Sequence, residues 1–471
     1  MSLKYVKSER GSNILVDDGF MYHFEKNGVQ KKIWRCVRFK NKCRGRVHVI
    51  GDIDNEKISK KIDHNHVPDI TQIEVKTAIN EMKINAKCTS NSTHSVIGTL
   101  ASQVSASVAG QLPNVPALKR TVQRVRQSHF GAPINPQNFN FEIPDQFTKT
   151  TNGEQFLQFD NKSETNRILL FCTKRNLELM VNCDNWFCDG TFSCAPQIFQ
   201  QLYTIHAVYY SNVIPSVYIL LPDKKENTYK LMFQALKSLI SNLSPLNIMM
   251  DFEKGAMNAV KFEFPNASIN GCFFHLSQCV WRHVQETGLQ KKYRENSDFA
   301  LYIRMLPALA YVPTNKVVDA FEKLLDTDFY IQNEEVLMPL IDYFEGNWIG
   351  RLHRSKKRRE PNFPINIWNC YDLVSADLPR TNNSVEGWHN CFSAMLNSSS
   401  HPTIWKFINA LQKEEQVNRM KIEQYIAGME PPSKKIYKDR SAKIKKNCLD
   451  YDNRTIEDYL RGIAHNFQLQ I

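Results

Sequence analysis

Hydrophobic and polar positions alternate along the first part of the chain, and turn residues separate the alternating runs. This pattern predicts a β-rich segment at residues 10–66, with strands at 13–16, 20–24, 32–37, 44–50 and 57–62. Turn dipeptides lie between the runs, at Asp18-Gly19, Asn27-Gly28 and Gly51-Asp52. A segment this short buries too little apolar surface to fold alone, so we expect a cross-link to stabilise it.

Residues 67–150 change to helical spacing, which predicts a helical linker. Residues 71–87 fit an amphipathic helix, and 116–128 repeat apolar residues at helical intervals. Basic residues cover the rest of the second helix: Lys119, Arg120, Arg124 and Arg126. One interpretation is a second DNA-binding element of the helix-turn-helix kind, with Arg120, Arg124 and Arg126 facing phosphates. The other is a plain helical linker with solvated charges.

From residue 151 to about 400 the pattern is that of an α/β domain. Apolar and β-branched runs predict strands at 155–160, 167–172, 178–183, 184–192, 199–209, 214–221, 246–251 and 267–274. Helical spacing predicts helices at 228–240, 254–262, 383–396 and 404–426. Most of 276–378 is also helical, which predicts an all-helical insertion in the domain. Residues 401–471 predict a C-terminal helical and basic region.

Composition and charge narrow the function classes. Hydrophobic residues make up 42% of the 471 residues, which excludes a disordered chain. The net charge is +12, and residues 1–66 hold 15 Lys and Arg against 8 Asp and Glu, a net of +7. This excess favours a polyanionic partner, with nucleic acid first. We expect no membrane partner, because the longest apolar runs, such as 213–221, are too short to span a bilayer. We also expect no small-molecule substrate.

The absence of an apolar leader after Met1 predicts an intracellular chain with reduced cysteines. Two basic runs, at 356–359 and 431–446, are compatible with nuclear import and equally with a solvated surface. We therefore expect a nuclear location.

Two cysteines and two histidines in the β-rich segment form a complete set of zinc ligands: Cys36, Cys43, His64 and His66. Their local spacing is not that of the usual two-Cys, two-His finger. Four arginines surround the thiols, and positive charge favours the thiolate form that binds metal: Arg35, Arg38, Arg44 and Arg46. The alternative is two core cysteines and two surface histidines.

This segment resembles a FLYWCH-type zinc finger. The matching residues are Asp18-Gly19-Phe20-Met21-Tyr22, Ile33-Trp34-Arg35-Cys36, Cys43-Arg44-Gly45-Arg46 and His64-Asn65-His66. Met21 stands where Leu is usual, and Ile33 where an aromatic residue is usual. The resemblance implies a structural zinc ion on the four ligands and a role in DNA or protein recognition. Four basic residues are candidates for phosphate contacts: Lys40, Lys42, Arg44 and Arg46.

Three acidic residues occupy positions where a catalytic metal site is expected. Asp189 lies inside an apolar strand, where an unpaired acid is costly. Asp251 ends a buried strand, and ligands of open α/β sheets lie at such edges. Glu386 lies in the first turn of a helix. Carboxylates hold the divalent ions that stabilise attacking and leaving oxygens in phosphodiester chemistry. Each acid alone is better explained by an ion pair or a helix cap than by a metal site.

The sequence around these acids resembles the transposase domain of Mutator-like elements (MULE). The similar blocks are Asp189-Gly190-Thr191-Phe192; Asp251-Phe252-Glu253, Ala256, Phe264-Pro265 and Gly271-Cys272-Phe273-Phe274-His275; and Thr381-Asn382-Asn383 with Glu386-Gly387-Trp388-His389. The resemblance covers roughly residues 180–400. It implies an RNase H-like mixed sheet, a DDE site in which Asp189, Asp251 and Glu386 bind magnesium or manganese, and cut-and-paste transposition.

Four further residues lie near these acids in the sequence. Glu253 is an auxiliary metal ligand in one interpretation and a helix N-terminal acid in the other. Cys272 and His275 make half of a zinc site, which His389 or Cys279 would complete. The alternative, which we favour, is a buried thiol and a hydrogen-bonded imidazole at a strand–helix junction.

Two function hypotheses follow from these resemblances. The first is a transposase with a DNA-binding zinc finger and a DDE core, acting as a dimer or larger homo-oligomer because two element ends must be handled together. The second is a domesticated, catalytically silent relative that acts as a nuclear DNA-binding or regulatory protein. The complete acid triad favours the first.

Overall fold

The computed structural model describes residues 3–8, 11–51, 55–89, 91–130, 133–209, 212–355, 357–396, 401–429 and 435–469. The chain forms two compact units, residues 1–134 and 135–471. Parts of three predicted features fall outside the described residues: Asp52 of one turn, Lys356 of the first basic run, and residues 431–434 of the second. No helix in the described ranges is long and apolar enough to cross a membrane.

The first unit begins with a six-stranded antiparallel sheet. Its strands are β1 (Lys4–Lys7), β2 (Asn13–Asp17), β3 (Phe20–Gly28), β4 (Lys31–Cys36), β5 (Arg46–Ile50) and β6 (Lys57–Ile62), paired in chain order. Strands β2 to β6 agree with the sequence pattern to within a few residues. Strand β1 was not predicted, and its pairing with β2 carries the sheet back beyond residue 10.

Four helices complete the first unit: α1 (Ile70–Cys88), α2 (Thr93–Gln103), α3 (Ala106–Ala109) and α4 (Val115–Phe130). Asp69 caps α1 by accepting a hydrogen bond from the Gln72 amide, and its carboxylate pairs with Arg38 at 2.7 Å. Ile73 of α1 packs into the same cluster as Ile14 and Met21 of the sheet. The helical segment up to residue 134 therefore belongs to one compact unit with the β-rich segment.

Arg126 differs from the expectation that it faces phosphate. Its guanidinium donates to the carbonyl oxygens of Ala86, Thr89 and Asn91, so it holds the C-terminal end of α1. Arg120 and Arg124 are exposed on α4, as predicted from the helical spacing.

The second unit is built on a seven-stranded mixed sheet. The strands are β7 (Leu157–Asp160), β8 (Leu169–Phe171), β9 (Asn185–Thr191), β10 (Gln201–Tyr209), β11 (Asn212–Leu221), β12 (Asn247–Met250) and β13 (Ser268–Gly271). Their order across the sheet is β13-β12-β9-β10-β11-β8-β7. Strands β12 and β13 run parallel to β9, whereas the other neighbours are antiparallel. Strand β10 and strand β11 are almost entirely buried, which explains their continuous apolar runs.

Helices surround this sheet and form a second core beside it. They are α5 (Lys174–Val181), α6 (Glu226–Leu239), α7 (Lys254–Glu263), α8 (Phe273–Glu286), α9 (Gln290–Glu295), α10 (Ser297–Ala308), α11 (Val317–Leu325), α12 (Asp328–Gln332), α13 (Glu334–Phe344), α14 (Ile365–Trp368), α15 (Tyr371–Ser375), α16 (Asn383–Met395), α17 (Ile404–Ile426), α18 (Lys435–Leu449) and α19 (Ile456–Ala464). A π-helical turn, Glu345–Ile349, follows α13. Short 3₁₀ turns lie at Val37–Asn41, Asp145–Phe147, Leu309–Tyr311, Thr314–Lys316 and Tyr451–Asn453.

The predicted helical insertion forms one hydrophobic core from α8 to α14, and the C-terminal helices α18 and α19 join it. Ile444 and Cys448 of α18 and Leu460 of α19 pack into the same cluster as Phe299 and Phe344. Helices α18 and α19 are therefore part of this core, whereas Ile422 of α17 packs into the core of the sheet.

One predicted strand is wrong, and another is too long. Residues 178–183 lie largely in helix α5, because the Thr173 hydroxyl caps its first turn by accepting from the Asn176 amide. Leu177 and Met180, three residues apart, then both reach the core. The predicted strand at 267–274 ends at Gly271, and helix α8 starts at Phe273.

Candidate metal centre and candidate active site

The four predicted zinc ligands converge in the first unit. One ligand atom from each of Cys36, Cys43, His64 and His66 lies within 4.8 Å of all the others. The Cys36 Sγ is 3.2 Å from His66 Nε2, and the Cys43 Sγ is 3.4 Å from His64 Nδ1. The two histidine nitrogens are 3.3 Å apart. Strand β4 and the turn after it supply the thiols, and the segment after β6 supplies the imidazoles.

Hydrogen bonds fix the orientation of all four ligands. The second nitrogen of His64 pairs with the Tyr22 hydroxyl at 2.8 Å, and that of His66 with the Val67 carbonyl at 2.8 Å. Backbone amides of Arg38 and Gly45 donate to the two sulfurs. Such bonds to the outer nitrogen select the ring tautomer and are typical of metal-binding histidines.

Close packing holds His64 in place as well. Phe20 stacks on its ring with centroids 3.7 Å apart. A Cβ at Gly45 would lie 2.5 Å from His64 Cε1, so only glycine fits there. Burial, followed by the neighbouring Cys43, raises the pKa of Cys36 to about 11, so this thiol is protonated without a metal ion. A zinc ion would hold both sulfurs as thiolates, and the donor set suits its tetrahedral preference.

The basic residues of the finger divide into two groups. Lys40, Lys42 and Arg44 are exposed and form no ion pair with other described residues. Arg46, predicted to contact phosphate, instead forms a two-bond ion pair with Glu25 at 2.8 and 3.1 Å. Three of the four predicted residues are therefore available to a polyanion, and Arg46 is already neutralised.

In the second unit, strand register brings two of the predicted acids together. Parallel strands β9 and β12 pair Asn185 with Asn247, and every later pair keeps the same offset of 62 residues. That offset carries Asp251, immediately after β12, to a position beside Asp189. Each acid lies two residues after an apolar residue, Phe187 or Met249, and therefore on the same face of the sheet as that residue. Phe187 and Met249 belong to one cluster with Val385 and Cys272. The acids therefore face away from the larger core of the sheet.

Glu386 approaches the same face from helix α16, which packs against β9 and β11. Burial, followed by the charge of Asp189, raises the pKa of Glu386 to about 7. Burial, followed by the charges of Asp189 and Glu253, raises the pKa of Asp251 to about 7, although Lys224 opposes this. Asp189 thus interacts electrostatically with both other acids, and each of them resists ionisation without a counterion.

The three acids are not drawn together as tightly as the finger ligands. Among the described residues, only the Cys/His cluster places three or more metal-binding atoms within 4.8 Å of one another. Carboxylate oxygens are the ligands that magnesium and manganese prefer, and a cation would stabilise the ionised forms that burial and the neighbouring charges disfavour.

Two histidines contact the acids. The His389 Nδ1 lies 3.5 Å from Asp189 Oδ2, and its other nitrogen pairs with the Thr204 hydroxyl at 3.1 Å. The His275 Nε2 lies 3.7 Å from Glu386 Oε1, and its Nδ1 is buried without a hydrogen-bond partner in the described residues. Both histidines are placed to orient a carboxylate.

Cys272 and Glu253 have structural partners. The buried Cys272 thiol donates to the Asn382 side-chain oxygen at 2.9 Å and accepts from the Asn382 amide. It joins no metal-binding group with His275, Cys279 or His389 in the described residues. Glu253 precedes helix α7 and binds the Tyr229 hydroxyl at 2.6 Å and Lys224 at 2.8 Å.

Sequence reasoning missed the polar groups beneath the site. Asn382 tethers the segment before Glu386 to Cys272, and Thr204 on β10 links His389 to the fully buried His206. Glu415 of α17 is also buried, and it accepts hydrogen bonds from Asn176 and Thr173. Asn382 lies within a recognised motif, whereas the pattern around Glu415 resembles that of an exposed helix.

Comparison with known proteins identifies two domains. The family model described as the FLYWCH zinc finger domain matches residues 5–66, and the one described as the MULE transposase domain matches residues 185–279. A FLYWCH zinc finger domain precedes a MULE transposase domain. The predicted architecture is confirmed. The MULE match includes Asp189 and Asp251 and ends before Glu386.

One solved structure and the curated proteins complete the comparison. A chain of the Drosophila P element transposase strand transfer complex is 10% identical, with a TM-score of 0.30. The match covers 72% of this chain and 92% of that chain. Similarity at this level carries no conclusion on fold or activity. No curated protein matches this chain.

Proposed function

We propose that this protein is a MULE-type DDE transposase that cleaves phosphodiester bonds and transfers DNA strands. The carrying observation is the shared 62-residue offset, which aligns Asp189 with Asp251 on neighbouring parallel strands. Glu386 on α16 approaches the same face of the sheet, and burial, followed by the charge of Asp189, raises its pKa. Strands β9, β10 and β11 are antiparallel neighbours, and β12 and β13 then run parallel to β9. This order supports the proposal that the sheet is RNase H-like.

The site residues have distinct proposed roles. Asp189, Asp251 and Glu386 would hold magnesium or manganese, which stabilises the attacking and leaving oxygens of phosphoryl transfer. His389 orients the Asp189 carboxylate through a contact of 3.5 Å, and Thr204 fixes the ring from its other side. His275 lies against Glu386 in the same way. Glu253 acts indirectly, because Tyr229 and Lys224 already bind both its oxygens.

The zinc finger is proposed to bind DNA. Lys40, Lys42 and Arg44 are exposed and form no ion pair within the described part of the chain, and phosphate contacts from such residues position a protein without specifying sequence. The proposal includes a structural zinc ion, a nuclear location and assembly into a dimer or larger homo-oligomer.

A cleavage assay tests the proposal. Purified full-length protein is incubated with manganese or magnesium and DNA carrying candidate element ends, beside Asp189→Ala and Glu386→Ala. The parent should cleave and both variants should lose activity by at least about a thousandfold, since each removes a metal ligand. Glu415→Gln is the matched control, because it neutralises another buried acid of the same unit and should leave cleavage intact.

Absence of cleavage by the parent, with DNA still bound, would overturn the catalytic proposal. It would instead support the second hypothesis, a domesticated DNA-binding protein that no longer catalyses transposition. Loss of activity in Glu415→Gln as large as in the site variants would show that neutralising any buried acid disables the unit.

A further inference from the structure

A cationic hairpin lies in the helical insertion, and its described residues are 350–355 and 357–361. It leaves the π-helical turn Glu345–Ile349 at Gly350, whose φ is +96°. Leu352 and Arg358 pair as an antiparallel bridge. The His353 amide donates to the Lys357 carbonyl at 2.8 Å, and the Arg359 amide to the Arg351 carbonyl at 2.9 Å. The described part of the first basic run, residues 357–359, therefore lies in a folded hairpin.

Arg358 anchors the base of this cationic hairpin. Its guanidinium pairs with Glu345 at 2.6 Å and with Glu322 at 2.8 Å, and it also donates to the Gly350 carbonyl. A Cβ on Gly350 would lie 1.9 Å from the Arg359 carbonyl oxygen, so the close approach of the two arms requires glycine. The hairpin thus has a specific geometry in which one of its arginines is neutralised.

The other described basic residues of the hairpin remain unneutralised. Arg351, Arg354, Lys357 and Arg359 are exposed and form no ion pair with any described residue. Asp342 and Glu360 line a groove of about 590 Å³ together with Arg351 and Arg359, yet no ion pair forms there. Four free cations on one short hairpin repel each other, so an anionic partner would stabilise the surface.

The hairpin is rooted next to the acidic site. Phe252, which directly follows Asp251, packs against Trp348 before the hairpin and Phe363 after it, with ring centroids 4.7 and 5.1 Å away. The ring of Phe252 occupies the space that a Cβ at Gly271 would need, at 2.3 Å. Lys254 adds a hydrogen bond to Asn362 at 3.0 Å. Packing therefore connects both arms of the hairpin to the segment that carries Asp251.

We propose that the cationic hairpin binds the phosphodiester backbone of DNA beside the acidic site, through Arg351, Arg354, Lys357 and Arg359. The inference rests on the proposed function and adds a DNA contact outside the zinc finger. Backbone contacts of this kind fix the position of the duplex and carry no sequence information. An import receptor that reads an extended basic peptide fits less well, because Arg358 is buried in ion pairs and the arms are bridged.

Salt dependence of DNA binding tests this inference. The full chain and the variant Arg354→Gln/Lys357→Gln/Arg359→Gln are titrated with a fluorescein-labelled duplex of arbitrary sequence, between about 50 and 200 mM KCl. The slope of log K against log salt is negative, and each lost phosphate contact makes it less steep by about 0.9. The slope of the variant should therefore be less steep than that of the parent by about 3. The charge-preserving variant Arg354→Lys/Arg359→Lys should keep the parent slope.

A matched variant controls for net charge. Lys261→Gln/Lys291→Gln/Arg294→Gln removes three exposed, unpaired cations from the same unit and should leave the slope within about 1 of the parent. An equal loss in both triple variants would overturn the hairpin site in favour of a diffuse charge effect. An unchanged slope in the hairpin variant would also overturn it, and loss of nuclear accumulation in that case would assign the hairpin to an import receptor. If the parent bound no duplex at all, the proposed function would fail and the hairpin inference with it.

Discussion

The Cys/His cluster of the finger and the acidic site of the second unit prepare for a metal ion in different ways. The finger ligands lie within 4.8 Å of one another, and hydrogen bonds to Tyr22 and Val67 fix both imidazoles. The three acids share one face of the sheet but are not gathered to that extent.

Thiols and imidazoles can meet in their neutral forms, whereas carboxylates repel each other. Burial raises the pKa of Cys36, and burial with the neighbouring His66 lowers the pKa of His64, so both groups are neutral without a metal ion. The pKa values of Asp251 and Glu386 are raised to about 7, so both carboxyls are partly ionised near neutral pH when no metal ion is bound. The difference teaches that the finger ligands converge in neutral forms, whereas the partly charged acids form no such cluster among the described residues.

Removal of the finger metal should have the largest effect. Cys36→Ser takes away one of four ligands, and structural zinc contributes roughly 10 kcal/mol or more to the folding of such small domains. We expect the variant to contain no zinc and residues 11–66 to become sensitive to protease. Metal analysis and limited proteolysis of the full chain measure both.

Cys88→Ser provides the control for this change. Cys88 is an exposed cysteine at the end of α1 in the same unit, so its loss should leave one zinc ion per chain. Full zinc content in Cys36→Ser would contradict the four-ligand cluster and remove the contrast with the acidic site.

Sequence patterns predicted the elements that position both sites, because the elements are long or their periodicity is clear. Helix α17 agrees with its predicted bounds, and the buried strand before Asp251 is found where the apolar run ends. The 62-residue separation of Asp189 and Asp251 can be counted in the sequence, but only the register of β9 and β12 shows that it places the two acids side by side. Register depends on the pairing of distant segments, which one sequence does not reveal.

The failures have local physical causes. Residues 178–183 were predicted to form a strand, but the Thr173 hydroxyl caps a helix that covers most of them. Arg126 and Arg46 resembled phosphate-binding residues, but their partners are a distant carbonyl cluster and Glu25. Glu415 was not noticed, because an acid in a charged helix is usually exposed and only the packing of α17 buries it.

Neutralising one carboxylate tests the repulsion in the acidic site. Asp251 has a pKa raised to about 7, so its contribution to stability is present at low pH and is lost as the pH rises through 7. In metal-free buffer at pH 8, Asp251→Asn should therefore be more stable than the parent by on the order of 4 kcal/mol, since the pKa is raised by about three units and one unit corresponds to about 1.4 kcal/mol. The difference should shrink as the pH falls below 7 and vanish below about pH 4, where Asp251 is protonated in the folded and the unfolded chain alike. Calorimetric unfolding of the full chain measures it.

Glu415→Gln separates the metal effect from burial alone. Burial raises the pKa of Glu415 to about 7 as well, but Asn176 and Thr173 occupy its oxygens. Saturating magnesium should abolish the stability advantage of Asp251→Asn, because the cation stabilises the parent, and should leave that of Glu415→Gln unchanged. A magnesium response of equal size in both variants, or in neither, would remove the distinction between a metal-binding acid and a structural one.

The smallest expected effect concerns the free space beside Glu386. A Cβ at Gly45 would collide with His64, whereas nothing lies within 4 Å of a Cβ at Gly387 in helix α16. Gly387→Ala should stabilise the folded protein by about 0.5–1 kcal/mol, because alanine favours the helix more than glycine does. The unfolding temperature of the protein should rise by about 1–2 °C, without loss of metal-dependent cleavage. Gly98→Ala, at an equally open helical position in the first unit, is the matched control. Cleavage lost from Gly387→Ala despite higher stability would mean that DNA needs the glycine surface itself, and that the acidic site is as closely fitted to its substrate as the finger is to its metal.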